Sequence, residues 1–553
     1  MTPDHDAGTA THGYPGVLPV CRRLADMPRF SPPRGALRIA AASMAVAITL
    51  AGCATGPDAG PDLVTGDGGS GAPATSESAV PPLPVLTAPT ADLAWRECSA
   101  ATAAKYDVRP AAGTHIECAT LDSPVDPDHQ DGGTLTVALT RVRTGKTPAG
   151  AVPVVLTTGS DLPSALGALL VATGPGRSLL DTNPVVAVDR RGLPDSGDVD
   201  CLTRDERAAI AANGQVGGAL DTAARITALT SASSSGSDGC TEALDPAQLS
   251  YSIADAASDI DTLRRAWKVE RLALLGIGEG SDVMLAYSAR YGGRAGRIIL
   301  DTPTAFGKPA KDRAQLTADG VQSALATFAQ RCATGGGCPL GDDPPATMTR
   351  VVTDARAGRL APLSEAQVLS AITTALATAP SSAATVRQVA AMVSAAAGGN
   401  PRDLMAAADR AASLRTSDGQ LLSRCNDVTG TVGQNEIPAL IKRWSGQYPL
   451  TGGDSAMTLL RCSGWGSAPT TKAPSDLPVA PVVLNTSDDP VNGGRGAKEL
   501  NATLLRAGVT PISVAWEGLG YSTLANSTCA AQLVKDYLGR TPVTGPTERS
   551  CPA

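Results

Sequence analysis

The sequence predicts an α/β fold with a mostly parallel sheet, because short apolar runs alternate along the chain with segments of helical spacing. Residues 271–303 show this most clearly: an apolar run enters a glycine-rich turn, a helical segment follows, and a second apolar run ends the stretch. Apolar residues at helical spacing predict a helix over 253–267. Residues 304–423 contain helical patterns without intervening strands, which predicts a helical cap inserted into the sheet domain.

The glycine turn has the spacing of a nucleophile elbow, the sharp strand-to-helix reversal with the sequence G-x-S-x-G. Small residues flank the reactive one, because the chain reverses within a few residues. Gly276 and Gly280 supply these flanking positions, but the central position is Gly278. Ser281 is predicted in the first turn of the following helix, away from the tip. The sequence therefore predicts an elbow without its nucleophile.

The residues in and after the turn also fit a longer frame. Those that fit are Gly276, Gly280, Ser281, Tyr287, Tyr291, Leu300, Asp301 and Pro303. The frame resembles the secreted tripeptidyl aminopeptidase-like (TAP-like) α/β-hydrolases of actinobacteria, relatives of proline iminopeptidases, whose elbow typically reads G-x-S-Y-G-[GT] before L-D-G-P. Gly278 and Glu279 depart from that pattern. The resemblance implies an α/β-hydrolase fold, with a mostly parallel sheet flanked by helices and an inserted helical cap.

The resemblance extends from about Trp95 to Cys551 and implies three parts of the mature chain. Residues 93–303 would be the first part of the hydrolase core, residues 304–423 the cap insertion, and residues 424–553 the carboxy-terminal TAP-like part. A helical subdomain without a role in binding is the alternative interpretation of the cap.

The triad positions follow the chain order nucleophile, acid, histidine in this fold. Asp489 matches the acid of the family's G-x-x-D-P-V-T-P turn, although a structural turn aspartate before Pro490 is the alternative. Where the family has a G-H-G-like turn after its last strand, this chain has Tyr521 in the histidine position. All the histidines of the chain precede the elbow, and they are His5, His12, His115 and His129.

These positions predict the loss of acyl-transfer chemistry. A glycine has no side chain to acylate, and a phenol with a pKa near 10 is a poor base at neutral pH. The resemblance places the backbone donors of an oxyanion hole at Gly159, in the loop after the third strand, and at Glu279. Water activation by Glu279, Asp282 and Asp489 is a further possibility, but acids at a helix N-terminus explain the first two more simply.

We therefore expect a pseudohydrolase that retains a cleft for a peptide-like or acyl-like ligand. The competing hypothesis is an active aminopeptidase or esterase that uses an unidentified nucleophile. A structural envelope protein without a small ligand is a third class.

The amino terminus predicts export. Arg34 and Arg38 precede an apolar run over 39–50, and small residues follow, which is the organisation of a secretory signal. The L-A-G-C ending resembles a bacterial lipobox and implies diacylation, with palmitate-type chains, of Cys53. Residues 1–52 would be the signal region, with Met27 as an alternative start.

Residues 53–92 are rich in Pro, Gly, Ser, Thr and Asp and predict a disordered tether between the lipid and the domain. The predicted location is extracytoplasmic and anchored to the cell membrane. An ordinary signal peptide with an incidental cysteine at position 53 is the alternative.

The remaining cysteines predict disulfides. Without Cys21 and Cys53, ten of the twelve cysteines are left, and an even number in an exported chain favours disulfide bonds. Sequential pairing needs the fewest long closures, although sequence does not prove connectivity. The pairs are Cys98–Cys118, Cys201–Cys240, Cys332–Cys338, Cys425–Cys462 and Cys529–Cys551.

Composition excludes several classes of protein. A net charge of -7 and a pI near 5.3 argue against nonspecific nucleic-acid binding. No C-x-x-C motif or neighbouring histidine supports a metal site. Gly335–Gly337 lacks the strand and the lysine of a phosphate loop, so it is predicted to be a small disulfide loop. We expect no cofactor, and the sequence identifies no protein partner.

Overall fold

A ten-stranded sheet runs through the residues that the computed structural model describes, which are 82–129, 132–218 and 220–553. The strands are β1 (Arg96–Glu97), β2 (Thr114–Pro124), β3 (Thr134–Thr144), β4 (Val154–Thr157), β5 (Val185–Val188), β6 (Leu272–Ile277), β7 (Ala295–Asp301), β8 (Val482–Asp488), β9 (Ile512–Leu519) and β10 (Glu548–Cys551). The predicted signal region and Cys53 lie outside the described residues.

The strand order is β1-β2-β3-β5-β4-β6-β7-β8-β9-β10. The first three strands and the β3–β5 pair are antiparallel, and every pair from β5 to β10 is parallel. All residues of β4, β5, β6 and β7 are buried, because helices cover both faces of a parallel sheet. The predicted α/β-hydrolase fold class is confirmed by this topology.

Helices follow most of the parallel strands. They are α1 (Ser99–Tyr106), α2 (Ser164–Thr173), α3 (Arg204–Ala211), α4 (Thr222–Leu244), α5 (Ile253–Trp267), α6 (Gly280–Tyr291), α7 (Ala310–Thr334), α8 (Pro344–Arg356), α9 (Glu365–Thr378), α10 (Ala383–Ala397), α11 (Arg402–Arg415), α12 (Asp418–Asn426), α13 (Ile437–Gln447), α14 (Gly452–Thr458), α15 (Gly496–Arg506), α16 (Thr523–Asn526) and α17 (Thr528–Leu538), with 3-10 turns at Pro175–Asp181 and Gly292–Arg294.

The two faces of the sheet have separate apolar cores. Leu275 and Ile277 of β6 pack on the face covered by α2 and α17, whereas Leu274 faces α5, α6 and α15. This alternation is the period of two that a strand imposes on its side chains. The predicted helix over 253–267 coincides with α5, whose Ser252 forms a capping box with Asp255.

Helices α7 to α14 lie between β7 and β8, and no strand occurs among the residues that join these two strands. Helices α7 to α11 share an apolar core of their own, and α13 and α14 pack with α3 and α4. Ser364 caps α9 in the predicted capping box with Gln367. Helix α12 crosses residue 423, so the helical region continues past the predicted end of the cap.

The end of the predicted tether is ordered onto the domain. Leu83 and Leu86 pack against the core, and the carbonyl oxygen of Pro84 accepts a hydrogen bond from Arg297 Nη1 at 2.9 Å. The Thr90 N–H donates to the carbonyl oxygen of Trp267 at 3.1 Å. The prediction of a disordered tether as far as residue 92 is therefore wrong for its last residues, because Leu83 and Leu86 pack on an apolar surface of the domain.

Five disulfide bonds join the pairs that sequential order predicted. They are Cys98–Cys118, Cys201–Cys240, Cys332–Cys338, Cys425–Cys462 and Cys529–Cys551. The third closes the loop around Gly335–Gly337, and the fifth ties β10 to α17.

Candidate functional site at the elbow

The turn between β6 and α6 has the geometry of a nucleophile elbow. Gly278 has a φ of +57°, in the left-handed region that favours glycine. A Cβ on Gly280 would lie 1.9 Å from the Thr157 carbonyl oxygen, and one on Gly276 would lie 2.5 Å from that of Gly280. The flanking glycines are therefore required by close backbone contacts. Ser281 is buried and donates to the Gly276 carbonyl oxygen at 3.0 Å, so it does not reach the tip.

Asp161 occupies the space where a nucleophile would stand. A Cβ placed on Gly278 would lie 1.9 Å from Asp161 Oδ2. That oxygen accepts hydrogen bonds from the Glu279 N–H at 2.9 Å and from Asn492 Nδ2 at 2.7 Å, and Tyr521 Oη lies 3.2 Å away. The side chain comes from the loop after β4 and is only 2% exposed. A carboxyl group held by three donors thus fills the tip of the elbow.

The predicted oxyanion donors are both engaged inside the protein. The Glu279 N–H donates to Asp161, and the Gly159 N–H donates to Thr157 Oγ1 at 3.3 Å. Gly159 has a φ of +60°, and a Cβ there would lie 2.7 Å from the Glu279 carbonyl carbon. The loop therefore packs against the elbow, and Asp161 takes the Glu279 N–H that an oxyanion hole would require.

Tyr521 lies next to the elbow, in the region where the resemblance places a histidine. Its Oη is 3.3 Å from the Ile277 carbonyl oxygen and 2.9 Å from the Cβ that a residue at 278 would carry. Burial raises the pKa of Tyr521 well above its usual value, and the nearby charge of Asp161 raises it further. The phenol is therefore a hydrogen-bond donor at neutral pH and not a base.

The described histidines lie elsewhere. His115 is exposed on β2, and His129 is exposed and contacts Asp126 through Nδ1 at 2.8 Å. His5 and His12 fall outside the described residues.

Asp489 is fully buried in the turn after β8. Its Oδ1 accepts a hydrogen bond from the Val491 N–H at 2.7 Å, and Oδ2 has no partner among the described residues. Burial raises the pKa of Asp489 to about 8, and the charge of Asp161 contributes. Asp489 is therefore mostly protonated at pH 7, whereas the acid of a working triad must be ionised to stabilise an imidazolium.

Glu279 and Asp161 differ in their charge environments. Burial raises the pKa of Asp161, and the charge of Glu279 adds to that effect. Burial alone would raise the pKa of Glu279 too, but Arg424, Arg313 and Arg190 outweigh it and the pKa is lowered. Glu279 is thus ionised at neutral pH and faces the arginines.

Asp282 has structural partners. Thr304 Oγ1 lies 2.7 Å from both of its carboxyl oxygens, and Arg313 Nη2 lies 3.3 Å from Oδ2. Its side chain holds α6 to the start of the helical region. A role in activating water would require it to leave these partners.

Sequence reasoning missed Asp161 and Asn492. Asp161 stands only two residues after Gly159, in the predicted oxyanion loop, and Asn492 stands three residues after Asp489, in the predicted loop of the triad acid. A polar side chain in a loop at the carboxyl edge of a parallel sheet is the signal that could have indicated them.

Comparison with known proteins agrees with this architecture. Residues 448–551 match the model of the family described as TAP-like protein. The carboxy-terminal part of the chain is therefore similar to TAP-like proteins. The chain is 28% identical over 233 residues to the serine protease Hip1 of Mycobacterium tuberculosis and to that of Mycobacterium bovis. The match covers 41% of this chain and 43% of Hip1, so it spans less than half of the relative's length.

Solved structures also align with the chain at low similarity. A membrane phospholipase A, described as a bacterial virulence factor, is 15% identical with a TM-score of 0.33, and the alignment covers 76% of this chain and 86% of the other. A thermophilic esterase from Thermogutta terrifontis is 12% identical with a TM-score of 0.30, over 76% of this chain and 98% of the other.

The part of the chain that the structure describes has no helix with the length and apolar character needed to cross a membrane. Within the same residues, no group of three or more His, Cys, Asp or Glu side chains is placed to hold a metal ion.

Proposed function

We propose that this protein binds a peptide-like or acyl-like ligand at the cell envelope without hydrolysing it. The observation that carries this proposal is the position of Asp161, whose carboxyl group fills the space of a nucleophile and takes the N–H of Glu279. Acyl transfer needs both an attacking atom and a donor for the developing oxyanion. One side chain removes access to both.

The neighbouring hydroxyl and carboxyl groups do not supply a substitute. Ser160 Oγ accepts a hydrogen bond from Arg190 Nη1 at 2.9 Å, and Ser281 is bonded to the elbow backbone. Asp161 is buried behind its three donors. A serine nucleophile also needs a base, and Tyr521 stands where that base would be. These contacts favour loss of hydrolysis over an active hydrolase with an unidentified nucleophile.

A space for a ligand remains beside the elbow. A cavity of about 270 Å³ is lined by Glu279 and Asp282 from the elbow side and by residues of α7, α11 and α12 from the helical region. Ligand sites in open α/β sheets commonly lie at this carboxyl edge. The cavity supports a binding role for the helical region.

The purified protein is expected to resist labelling by a fluorophosphonate and to leave aminoacyl esters and short acyl esters uncleaved above the buffer rate. An active serine hydrolase assayed in parallel shows that the reagents work. Covalent labelling at any serine, located by peptide mass spectrometry, would establish the competing active hydrolase. Absence of saturable peptide binding, with a protein retained on pull-down, would favour a structural envelope role.

We also propose that Cys53 carries a lipid anchor, since the L-A-G-C sequence follows a signal-like segment. Replacement of Cys53 by serine is expected to move the protein from the membrane fraction to the soluble fraction and to abolish incorporation of a labelled palmitate analogue. Cys21→Ser, upstream of the predicted signal run, is the matched control and should change neither. Labelling that survives in Cys53→Ser would rule out this site.

A further inference from the structure

Three arginines meet in the space beside the elbow. Two adjoining cavities, each of about 270 Å³, share Arg415, Arg424 and Arg461 in their linings. Arg415 ends α11, Arg424 belongs to α12, and Arg461 follows α14. We call this joint space the arginine cavity.

Arg424 is fixed by the elbow side of the arginine cavity. Its Nη2 donates to the Ser160 carbonyl oxygen at 2.5 Å, and its Nη1 donates to the Arg415 carbonyl oxygen at 3.3 Å. Glu279 Oε1 lies 3.8 Å from its Nε, so this arginine has a carboxylate nearby. Its charge is balanced by Glu279.

Arg415 and Arg461 are balanced less well. Arg415 Nη1 donates to Thr374 Oγ1 at 3.3 Å, and its buried Nε has no partner among the described residues. Arg461 Nε donates to Asn213 Oδ1 at 2.7 Å, and Asn213 Nδ2 in turn donates to Asp454 at 2.6 Å. Within the described part of the chain, neither guanidinium forms a direct ion pair with a carboxylate, unlike Arg190, Arg207 and Arg313 on the same wall.

The crowding of like charges agrees with this geometry. Burial lowers the pKa of Arg461 to about 10, and repulsion from Arg424 and Arg415 opposes the attraction of Asp454. Burial also lowers the pKa of Arg415, and Arg424 contributes to that effect. Positive charge in a partly desolvated space is costly unless an anion joins it.

Apart from its charged groups, which include the acids Glu279, Asp282 and Asp427, the wall is largely apolar. The side chains that line it include Leu202, Ile210, Ile253, Leu421 and Leu459. A cavity with cationic donors beside aliphatic side chains suits a ligand with an anionic group and an apolar body. Guanidinium groups match the planar or tetrahedral oxygens of such anions through paired hydrogen bonds.

We propose that the arginine cavity binds an organic oxyanion, a carboxylate or phosphate on an apolar body, with Arg415 and Arg461 as the anion-binding residues. This inference rests on the proposed function and gives its ligand a chemical class. The carboxyl terminus of a short apolar peptide and the head group of a medium-chain acid both present this chemistry. The ligand's charged end would lie at the two guanidiniums and its apolar part along the leucine-lined wall.

Isothermal titration calorimetry at low salt tests the proposal with defined probes. The anionic probes are octanoate, octyl phosphate and an apolar tripeptide with a free carboxyl terminus, and the matched controls are octylammonium, octyl glucoside and the amidated tripeptide. Saturable binding of at least one anionic probe and none of its control is expected. The anionic probe that binds shows whether the natural ligand's charged group is a fatty-acid carboxylate, a phosphate or a peptide carboxyl terminus. Equal binding of an anionic probe and its matched control, or no binding of any anionic probe, would overturn the proposal.

Variants assign the site. Arg415→Gln and Arg461→Gln are each expected to weaken binding of the anionic probe about tenfold or more, since a hydrogen bond to a charged group is lost. Arg443→Gln, on the exposed face of α13, should leave binding unchanged. Wild-type affinity in Arg415→Gln and Arg461→Gln would remove these residues from the site. If a glutamine variant does not fold by circular dichroism, Arg415→Lys and the salt dependence of wild-type binding replace it, and binding that is insensitive to both overturns the proposal.

The outcomes separate this inference from the proposed function. Hydrolysis of an ester with selective anion binding would defeat the non-catalytic role and leave the arginine cavity assigned. No anion binding with no hydrolysis would defeat the arginine cavity and leave the loss of catalysis in place.

Discussion

Replacement of Gly278 by serine is expected to destabilise the protein by roughly 2–5 kcal/mol and to produce no hydrolase activity. The new Cβ would lie 1.9 Å from Asp161 Oδ2 and 2.6 Å from Asn492 Nδ2, and a non-glycine residue at a φ of +57° adds backbone strain. Denaturant unfolding followed by circular dichroism measures the loss of stability. The steric clash and the backbone strain both arise at the elbow tip, but only the steric clash depends on Asp161.

A matched control separates the two contributions. Gly307 has a φ of +70°, and a Cβ there would meet nothing within 4 Å, so Gly307→Ser reports the backbone strain alone. Asp161→Ala with Gly278→Ser should recover part of the stability lost by Gly278→Ser, which a double-mutant cycle detects as coupling. Equal stabilities of Gly278→Ser and Gly307→Ser would mean that Asp161 does not fill the elbow.

The same variants bear on chemistry. Addition of Tyr521→His to the Asp161→Ala and Gly278→Ser pair supplies a nucleophile, frees the Glu279 N–H and places an imidazole on the last loop. Ester hydrolysis above the rate of the Gly278→Ser and Tyr521→His pair is the expected result. Equal rates of the triple variant and this pair would show that the Asp161 carboxyl group is not what prevents hydrolysis.

Asp489→Asn is expected to change how stability depends on pH. Burial raises the folded-state pKa of Asp489 to about 8, against 3.8 for the ordinary value, so between about pH 4 and pH 8 the folded form binds a proton that the unfolded form has released. The carboxyl group therefore lowers the free energy of unfolding by about 1.4 kcal/mol for each unit of pH rise in that window. Asparagine does not titrate, and its Oδ1 can still accept from Val491.

The measurement is the free energy of unfolding of both proteins from pH 5 to pH 7.5. The free energy of unfolding of Asp489→Asn should exceed that of the wild type by an amount that increases with pH at about that slope. The contributions of other buried acids cancel in the comparison. Asp488→Asn, at a partly exposed neighbour, is the control for loss of one carboxyl group. Parallel pH profiles of wild type and Asp489→Asn would show that Asp489 is already ionised in the folded protein.

Local pattern was sufficient for the elements whose signals lie close together in the chain. The glycine spacing located the elbow, a cap and an apolar stripe located α5, and cysteine order located the disulfides. Strand β10 was not predicted, because its sequence E-R-S-C has no apolar alternation and it pairs with β9 through the backbone.

The occupant of the elbow could not be predicted in the same way. The hydrogen bond between Glu279 and Asp161 joins residues 118 positions apart, and that between Asn492 and Asp161 joins residues 331 positions apart. Which of several loop side chains turns into a shared space depends on tertiary packing. The arginine cavity has the same origin. Its three shared arginines come from α11, α12 and the turn after α14, and the sequence patterns predict helices but not which way those helices face.

The meeting of Asp161 with Gly278 also makes the present state hard to leave by small steps. A serine alone meets the carboxylate, and loss of the carboxylate alone leaves the Glu279 N–H and the Asn492 amide without their acceptor. Either single replacement therefore costs stability before any benefit can arise, and only a simultaneous exchange avoids the penalty. Proteins that descend from this chain are therefore expected to change the ligand specificity of the neighbouring cavity more readily than to regain hydrolytic activity.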